Sequence, residues 1–375
     1  MEKWISPYNN DSNSIWCKGA IHIHTSNSHC GKLSPDKVIE DYGKKKLKYD
    51  FISITDHDSF TDIDDFQGKQ PLLLIPGVEN SMEMSHIVAV NVRRAHRLTE
   101  DAFETMVNTA RKKLAEFLDL SVLNELYMEI DQLIQKNGEK RDLSVFGIIG
   151  LVKPHLDEKQ NDDFIKASLQ SLGEPDYQRI VNEITQSGGI AIFAHPHWLR
   201  EDYWERDVLE SLGNYTGIEI LNGDYVAGLT NIATDTWDRL LSMGRKVWGF
   251  GGDDFHNPNE FNKVWNTVRV NEKSTDNIVK ALMEGSFYVS TGVELSEVKS
   301  ENDQIYVAIE DNCFTSRYYK FFRFIGKDGE ILDTQISKNP TAIYRTRGDE
   351  LYARVHVLLE TGQMAYTQPF FLDGK

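Results

Sequence analysis

Cysteine is scarce in this chain of 375 residues, which contains only Cys17, Cys30 and Cys313. No two of them form a Cys-x-x-Cys pair, so neither a disulfide framework nor a thiolate-bound structural zinc site is predicted, and a reducing compartment is expected. Apolar runs are also short, and none reaches the roughly 18 residues of a membrane-spanning helix. Residues 1–11 are polar and lack the apolar core of a signal peptide. We therefore expect a cytoplasmic protein, and leave open a form from which an export signal has been removed.

Positive charge is in deficit as well. The 41 lysines and arginines stand against 58 aspartates and glutamates, which gives a formal net charge of −17. Such a surface repels a nucleic-acid backbone, so nonspecific nucleic-acid binding is not expected. A small anionic substrate stays compatible with this charge, because bound metal ions can reverse the local field. Hydrophobic residues make up 40% and charged residues 26% of the chain, the balance of a globular protein rather than a disordered one.

Strand-like and helix-like segments alternate along the first part of the chain, which is typical of an α/β fold with a mainly parallel sheet or barrel. Ser34 as N-cap and Pro35 at the first helical position predict a helix through Tyr42. The predicted strands of this part lie at residues 19–24, 51–55, 72–75, 87–92, 190–194, 216–221 and 246–251.

Two segments depart from the alternation. Residues 100 to about 173 begin charged, Leu-rich and free of Pro and Gly, and they predict a helical insertion. From about residue 291 short strands predominate, with a hairpin signal at Asp328-Gly329, and this texture predicts a small antiparallel β-sandwich. The predicted domains are therefore a barrel over residues 1–290, which includes the insertion, and a β-sandwich over residues 291–375.

Histidine is the residue type that carries the chemical signal. His22 and His24 lie two positions apart in a strand-like run, so both side chains leave the same face and suit one metal ion. Metal-binding residue types also follow other predicted strands or the loops beside them: His29, His57, Glu79, His86, His195, Asp254 and His256. A single histidine after a strand is more often a hydrogen-bonded rim residue than a ligand. Here such residues follow several strands at once, and α/β barrels build their active sites at these strand ends, so a site for several metal ions is favoured. A ligand set of imidazoles and carboxylates suits Zn²⁺, Mn²⁺ or Fe²⁺.

The ordered strings that contain these residues resemble the PHP (polymerase and histidinol phosphatase) domain. They are Ile-His-Ile-His-Thr from residue 21, Ile-Thr-Asp-His-Asp from residue 54, Ile-Pro-Gly-Val-Glu from residue 75, Phe-Ala-His-Pro from residue 193 and Gly-Asp-Asp-Phe-His from residue 252. The resemblance covers residues 16–290 without the insertion and implies a distorted seven-stranded β/α barrel with up to three metal ions. Phe-Tyr-Val-Ser-Thr-Gly from residue 287 and Ala-Tyr-Thr-Gln-Pro from residue 365 are similar to the branch related to carbaryl hydrolases, which often has a β-rich C-terminal segment.

Carried over by position, the resemblance implies three metal sites. The first is formed by His22, His24, Glu79 and Asp254. The second shares Glu79 as a bridge and is completed by His86 and His195. The third is formed by His29, His57 and His256. Three positions depart from the pattern. Ala20 replaces an Asp that would support the first histidines. His29 replaces the Asp usual in this branch, which puts the metal preference of the third site in doubt, and Ser85 replaces a common Gly before His86.

The implied activity is a metal-dependent phosphoesterase that acts on a small phosphorylated metabolite or a nucleotide. Two or three divalent ions lower the pKa of a shared water and neutralise phosphoryl oxygens, so a metal-bound hydroxide makes the attack. Glu79 and Asp254 are the central catalytic residues of this prediction, and His197 and Arg200 are predicted to reach the substrate. Asp56 and Asp253 are expected to orient imidazoles, and Cys30 is interpreted as a bystander thiol.

Two other functions stay open. A hydrolase of a carboxylic ester, carbamate or amide would use the same ions, and a mouth lined by Trp198 and Trp204 rather than by arginine and lysine would favour it. A noncatalytic binding module with structural metals is the third hypothesis. The string around Lys153 and His155 faintly resembles the insertion that caps the barrel of PHP nucleotide phosphatases and exoribonucleases. The C-terminal segment is expected to pack against the barrel or to mediate homo-oligomerisation.

Overall fold

The structure is a computed structural model. It describes residues 4–8, 13–28, 30–68, 71–81, 85–96, 100–139, 145–172, 176–198, 203–224, 232–258, 260–313 and 315–374. None of the helices within these ranges is long and apolar enough to cross a membrane.

The described helices and strands follow in this order along the chain. The helices are α1 (Pro35–Tyr42), α2 (Glu100–Phe117), α3 (Leu120–Glu139), α4 (Val145–Val152), α5 (Glu158–Gln170), α6 (Tyr177–Gln186), α7 (Arg206–Ser211), α8 (Thr234–Ser242) and α9 (Thr275–Glu284). The strands are β1 (Trp4–Ile5), β2 (Ile15–Ala20), β3 (Phe51–Ile54), β4 (Leu73–Asn80), β5 (Ile87–Val90), β6 (Ile190–Phe193), β7 (Gly217–Asn222), β8 (Trp248–Gly252), β9 (Trp265–Val270), β10 (Phe287–Ser290), β11 (Leu295–Glu301), β12 (Gln304–Ile309), β13 (Lys320–Ile325), β14 (Ile331–Ser337), β15 (Thr341–Arg345), β16 (Tyr352–Leu359), β17 (Met364–Thr367) and β18 (Phe370–Leu372).

Strands β2 to β8 form a curved mixed sheet of the predicted α/β class. β2, β3 and β4 run parallel, β5 runs antiparallel to both β4 and β6, and β6, β7 and β8 again run parallel. The sheet closes where the chain leaves β8 and β2. There the Asp254 amide donates to the His22 carbonyl oxygen at 3.1 Å, and the His24 amide donates to the Phe255 carbonyl oxygen at 2.9 Å. The side chains that follow the parallel strands therefore meet in one ring.

Further along β8, two side-chain amides take the place of a paired strand. Asn266 accepts from the Gly251 amide at 3.0 Å and donates to the Gly251 carbonyl at 2.7 Å. Gln368 does the same for Gly249, at 2.9 and 2.7 Å. These bonds satisfy backbone groups that would otherwise be buried without partners. Gln368 comes from the C-terminal region, so that region takes part in completing the barrel wall.

Local signals place the helices around the sheet. The Ser34 hydroxyl caps α1 by accepting from the Lys37 amide at 3.4 Å, and Asp176 caps α6 by accepting from the Arg179 amide at 2.9 Å. The apolar face of α6 buries Ile180, among other residues, against the sheet. Helix α1 begins and ends at the predicted residues, Pro35 and Tyr42.

Helices α2 to α5 occupy the predicted insertion and have a core of their own, which includes Met106, Leu114 and Ile130. The chain reaches this insertion by turning back after β5. The Asn91 amide bonds the Pro76 carbonyl at 2.7 Å, and the His96 amide then bonds the side chain of Asn80 at 2.7 Å. Asn80 directly follows Glu79, so the insertion begins at the end of the barrel where the predicted ligands lie.

The C-terminal region is built of two antiparallel sheets that share an apolar core. One sheet is β11-β12-β15, and the other contains β13, β14, β16, β17 and β18. The hairpin at Asp328-Gly329 joins β13 and β14, with positive φ angles of 54° and 75° at these two residues. Strand β10 pairs with both β9 and β17, and β1 pairs with β18, so the sheet is continuous across residue 290. The domain limit at residue 290 stays a prediction.

Candidate metal centre

Every predicted metal ligand that the structure describes lies in one cluster at the mouth of the barrel. The cluster contains His22, His24, His57, Glu79, His86, His195, Asp254 and His256. His29 and Arg200 lie outside the described residues. Most of these side chains follow the carboxyl ends of parallel strands, whereas His86 directly precedes β5. Because β5 runs antiparallel to its neighbours, its beginning lies at the same mouth.

Glu79 lies at the centre of the cluster, with no exposed surface. Its Oε1 lies 3.2 Å from Nε2 of His22, 3.0 Å from Nδ1 of His86 and 3.4 Å from Nε2 of His195. Its Oε2 lies 3.2 Å from Nε2 of His24 and 2.9 Å from Nδ1 of His57. The two oxygens therefore face different imidazoles, which is the geometry of a carboxylate that bridges two ions.

Asp254 is the second central carboxylate. Its Oδ1 lies 3.2 Å from Nε2 of both His22 and His24, and its Oδ2 lies 3.9 Å from Nε2 of His195. Asp254 and His195 both have positive φ angles, 50° and 32°, just beyond the ends of β8 and β6. This backbone conformation is uncommon for residues other than glycine, and such strain is concentrated at functional sites. The turned backbone directs both side chains into the mouth.

A buried carboxylate orients His22. Nδ1 of His22 lies 2.7 Å from Oε1 of Glu219, and Oε2 of Glu219 accepts from the His195 amide at 2.9 Å and from the Asn222 side chain at 2.9 Å. Because the carboxylate oxygen accepts this bond, His22 carries a proton on Nδ1, and in its neutral form the ring presents the Nε2 lone pair to the cluster. Glu219 therefore supplies the support for which Ala20 has no side chain.

A hydroxyl orients His24 in the same way. Ser28 donates its single proton to Asp56 at 2.7 Å, so its oxygen must accept from Nδ1 of His24 at 3.2 Å and from the His57 amide at 2.9 Å. In the neutral ring, Nε2 of His24 then carries a lone pair directed toward Glu79 and Asp254. Two of the central imidazoles thus have the tautomer that binds a metal through Nε2.

Asp56 and Asp253 were predicted to orient imidazoles, and the structure assigns them other partners. Asp56 accepts from the amide and hydroxyl of Thr25, at 2.6 and 2.7 Å, and from the hydroxyl of Ser28. Asp253 accepts from the Tyr42 hydroxyl at 2.9 Å and from the amides of residues 262–264, at 2.7 to 2.9 Å. Asp56 therefore acts on the His24 imidazole through the Ser28 hydroxyl, and Asp253 fixes the loop that follows Asp254.

Opposite charges stabilise each other inside the cluster. Burial alone would raise the pKa of the Glu79 carboxyl, but the imidazoles of His22, His86 and His57 outweigh burial and hold its pKa well below the usual value. Burial alone would lower the pKa of His24, but Asp254 and Glu79 raise it to about 9. The site therefore holds carboxylates in the charged form and attracts positive charge, which either protons or metal ions can supply.

Buried atoms without hydrogen bonds show that these residues fit metal ions. Nε2 of His22 and Nε2 of His24 are buried and make no hydrogen bond, although each lies 3.2 Å from carboxylate oxygens. In the neutral rings, whose proton lies on Nδ1, these nitrogens are acceptors that face other acceptors. Such an arrangement is costly unless a cation lies between them. Imidazole and carboxylate donors of this kind suit Zn²⁺, Mn²⁺ or Fe²⁺.

The grouping of the ligands differs in part from the predicted one. Four overlapping groups have their donor atoms within 4.8 Å of one another: His22-His24-Glu79, His22-His195-Asp254, His57-Glu79-His86, and His24-Cys30-His57-His256. His57 thus lies with Glu79 and His86 as well as with His256, and Cys30 joins a group in which no thiol was predicted. Burial, followed by the charges of Glu79 and Asp254, raises the pKa of the Cys30 thiol, so the free thiol is a poor nucleophile. The division of ligands among individual ions stays a prediction.

Aromatic side chains lie beside the cluster on the side of His86 and His195. The Trp198 ring centroid is 5.4 Å from that of His195 and 6.2 Å from that of His86, and Tyr203 lies 5.4 Å from Trp198. Trp204, which was considered as a second mouth residue, is only 2% exposed and belongs to the core between sheet and helices.

The predicted substrate-contacting residues have mixed placements. His197 lies in the turn after His195, and its Nε2 is 2.8 Å from Oδ1 of Asp235 at the start of α8. Lys153 and His155 are exposed in a 3₁₀ turn after α4. None of these three side chains belongs to the ligand groups found among the described residues.

Neither a protein-family model nor a curated protein sequence matches the chain. Among solved structures, the fold is similar to a two-domain protein from Bacteroides vulgatus ATCC 8482 that contains a predicted PHP-like metal-dependent phosphoesterase, with a TM-score of 0.44, 13% identity, and coverage of 96% of this chain and 97% of that chain. It is also similar to the lesion-specific endonuclease PfuEndoQ from Pyrococcus furiosus, with a TM-score of 0.38, 14% identity, and coverage of 72% and 56%. Likenesses this distant carry no argument about activity, so function is argued from the site itself.

The sequence analysis did not identify Ser28 or Glu219 as orienting residues. Glu219 could have been found as a charged residue inside the apolar strand Gly217–Asn222, where a buried carboxylate needs a partner. Ser28 gives no comparable signal. Its role depends on the loop after β2 folding back toward Asp56.

Proposed function

We propose that this protein is a metal-dependent hydrolase that cleaves a phosphoester of a small metabolite or nucleotide. The observation that carries the proposal is Glu79, a fully buried carboxylate whose two oxygens face imidazoles from different strand ends. A purely structural ion needs a closed set of ligands, whereas overlapping groups that share Glu79, His22 and His57 suit adjacent ions at a substrate-binding mouth. This arrangement disfavours a noncatalytic module.

Bound divalent ions would supply an activated water and would neutralise the oxygens of the group under attack. The chain's own residues hold that chemistry in place. Glu79 and Asp254 set the spacing, and Glu219 and Ser28 fix the ring orientations of His22 and His24. Burial in the barrel keeps these side chains from bulk water. The proposed anionic substrate fits a chain of net charge −17 only because bound ions reverse the field at the mouth.

His197 is the proposed proton-handling residue at the rim. Its Nε2 lies 2.8 Å from Oδ1 of the exposed Asp235, and partial desolvation is outweighed by this contact, which lowers the pKa of the Asp235 carboxyl. A histidine that pairs with a carboxylate and lies two residues after His195 can give a proton to a leaving oxygen. Arg200 remains the proposed cationic contact for the substrate.

The insertion is proposed to act as a substrate-selecting cap. Its entry at His96 is bonded to Asn80, the residue after the central Glu79. A helical unit with its own core that is attached at this end of the barrel is well placed to border the mouth.

A second candidate function has one observation in its favour. Trp198 and Tyr203 form an aromatic wall beside His86 and His195, as an aryl ester or carbamate would require. A nucleobase would use the same wall by stacking, so the wall alone leaves both substrate classes open.

The test uses substrates that release the same chromophore. We expect protein reconstituted with Zn²⁺, Mn²⁺ or Fe²⁺ to bind more than one ion per chain and to hydrolyse p-nitrophenyl phosphate or its diester faster than p-nitrophenyl acetate or an aryl carbamate. Asp254→Asn should abolish the activity, and Asp276→Asn, at the exposed start of α9, should keep it. Failure to retain metal would overturn the proposal, and faster acyl cleavage would support the second candidate.

A further inference from the structure

Cys30 lies in the loop between β2 and α1, where it is half-buried and forms no disulfide. Its sulfur and one ring nitrogen each of His24, His57 and His256 lie within 4.8 Å of one another. Of the groups found among the described residues, this is the one that contains a thiol. The remaining groups contain histidine and carboxylate only.

Backbone contacts fix this loop against the cluster. The amide of Lys32 donates to the carbonyl oxygen of His256 at 3.0 Å, which ties the chain beside Cys30 to a member of the same group. At Gly31 a Cβ atom would lie 2.1 Å from the carbonyl oxygen of Thr25, so the chain can approach this closely only with glycine there. The position of the sulfur is therefore set by the fold rather than by a free loop.

A second, independent feature of the same group points to a cation. The His24 ring is fully buried, its Nε2 makes no hydrogen bond, and its Nδ1 is already held by Ser28. The ring stacks 4.3 Å from His57 and 4.5 Å from His256, centroid to centroid. Three imidazoles held this close beside a sulfur form a donor set that is costly to bury without an ion.

We propose that Cys30 is a thiolate ligand of the third metal ion, together with His57 and His256, and that this site selects Zn²⁺, Fe²⁺ or Co²⁺ over Mn²⁺ and Mg²⁺. The inference rests on the proposed metal centre and names one of its ligands. On binding, the S–H bond breaks, its proton passes to solvent, and the sulfur electron pair forms the bond to the ion. Thiolate donors favour the softer, thiophilic ions, whereas carboxylate and water favour Mn²⁺ and Mg²⁺.

The donor spacing suits one tetrahedral ion after a small closure. Metal–ligand lengths of about 2.3 Å for sulfur and 2.0–2.1 Å for nitrogen place neighbouring donors roughly 3.3–3.7 Å apart. Cys30, His57 and His256 leave a fourth position for water or substrate, or for a shared nitrogen of His24. The resemblance implies His29 as the third-site ligand next to Cys30, so the two residues are competing assignments.

Cobalt distinguishes the two assignments by an optical signal. Metal-free full-length protein is titrated with Co²⁺ without oxygen, and absorbance is recorded in the near ultraviolet, where thiolate-to-cobalt charge transfer appears. Bound cobalt is measured by elemental analysis on the same samples. We expect the band in the wild type and its loss in Cys30→Ser. It should be retained in Cys17→Ser, Cys313→Ser and His29→Ala.

A carboxylate variant separates loss of the ligand from loss of folding. Cys30→Asp should keep the ion but lose the band, and should bind Mn²⁺ at least tenfold more tightly relative to Zn²⁺ than the wild type does. A band that persists in Cys30→Ser, or full cobalt binding without any band in the wild type, would overturn the assignment and leave the metal centre standing. Absence of cobalt binding altogether would overturn both proposals.

Discussion

At the scale of single residues, the site is organised around two carboxylates that each face several imidazoles. Glu79 has histidine nitrogens within 3.4 Å of both of its oxygens. Glu219 is almost as buried, but it reaches the cluster through His22, through the amide of His195, and through Asn222, whose side-chain amide also donates to Asp254. Glu79 can therefore bind ions directly, whereas Glu219 positions the ligands of those ions.

Glu79→Gln should lower turnover far more than it lowers thermal stability. The amide keeps the shape but has one weak oxygen donor, so two ions can no longer share it. The loss should exceed the roughly 10–100-fold cost typical of removing an outer partner, which is the loss expected for Glu219→Gln. Turnover, metal content and unfolding temperature are to be measured for each folded variant. Near-normal turnover with full metal content in Glu79→Gln would show that the bridging assignment is wrong.

At the scale of elements, the reversed strand β5 decides which residues reach the mouth. A parallel strand at this place would have its first residue at the opposite end of the barrel, far from Glu79. The hairpin between β4 and β5 instead brings His86 to 3.0 Å from Glu79. After β5 the chain turns and runs back beside β4 as far as His96, where the insertion begins. The direction of β5 therefore also determines the end of the barrel at which the insertion is attached.

Deletion of residues 100–173 with a short linker should leave metal binding largely intact and change substrate preference. The reason is that α2 to α5 have their own core, whereas the ligands are held by the barrel loops. The measurement is metal content together with kcat/KM for a panel of phosphate monoesters and diesters. Lys153→Ala with His155→Ala in the full chain is the control that separates loss of two cations from loss of the cap. A folded deletion variant without metal would show that these residues belong to the barrel.

At the scale of the whole molecule, the metal centre joins distant parts of the barrel. Ligands come from the ends of β2, β3, β4, β6 and β8 and from the start of β5, so ions would cross-link nearly the whole ring. The C-terminal region closes the same barrel from outside. Gln368 bonds β8, and Arg354 forms a buried ion pair with Asp238 of α8, with 2.5 Å between Nη2 and Oδ2.

Removal of metal should lower the unfolding temperature, and the effect should grow with pH. Ions that bind only the folded chain stabilise it by about 2.7 kcal/mol per site at a hundredfold excess over Kd. In the metal-free protein the pKa of His24 is raised to about 9, so its protonated ring stabilises the fold fully below about pH 6.5 and loses this effect as pH rises through about 9. Metal requires the deprotonated ring, so the two states diverge between these pH values.

Thermal unfolding followed by circular dichroism at pH 6.5 and pH 9, with Zn²⁺ or with chelator, measures this difference. Asp276→Asn should show the wild-type gap, and Asp254→Asn should show a smaller one. A gap that stays constant or narrows as the pH rises would contradict the prediction.

The α/β alternation, the insertion and the antiparallel C-terminal region were predictable because each depends on local periodicity and turn chemistry. The structure differs from these predictions where contacts between residues far apart in the sequence determine the bounds of a strand. Residues 366–371 are strand-like in sequence but are divided between β17 and β18, because Pro369 has no amide hydrogen and the side chain of Gln368 bonds Gly249 instead. The sequence gives little signal for strand β14. It is an edge strand, in which exposed and less exposed side chains alternate and no apolar run occurs.

For the site, the sequence by itself determined which residue types follow which strands, and hence a cluster of imidazoles and carboxylates. This information is local, since a residue that follows a parallel strand must lie at one end of the barrel. Only the tertiary structure decided that Glu79 lies between the imidazoles, that Glu219 and Ser28 fix the tautomers of His22 and His24, and that Cys30 joins His57 and His256. Those contacts join residues far apart in the chain. They depend on the order of the strands, on the closure of the barrel and on the way the loop after β2 folds back toward Asp56.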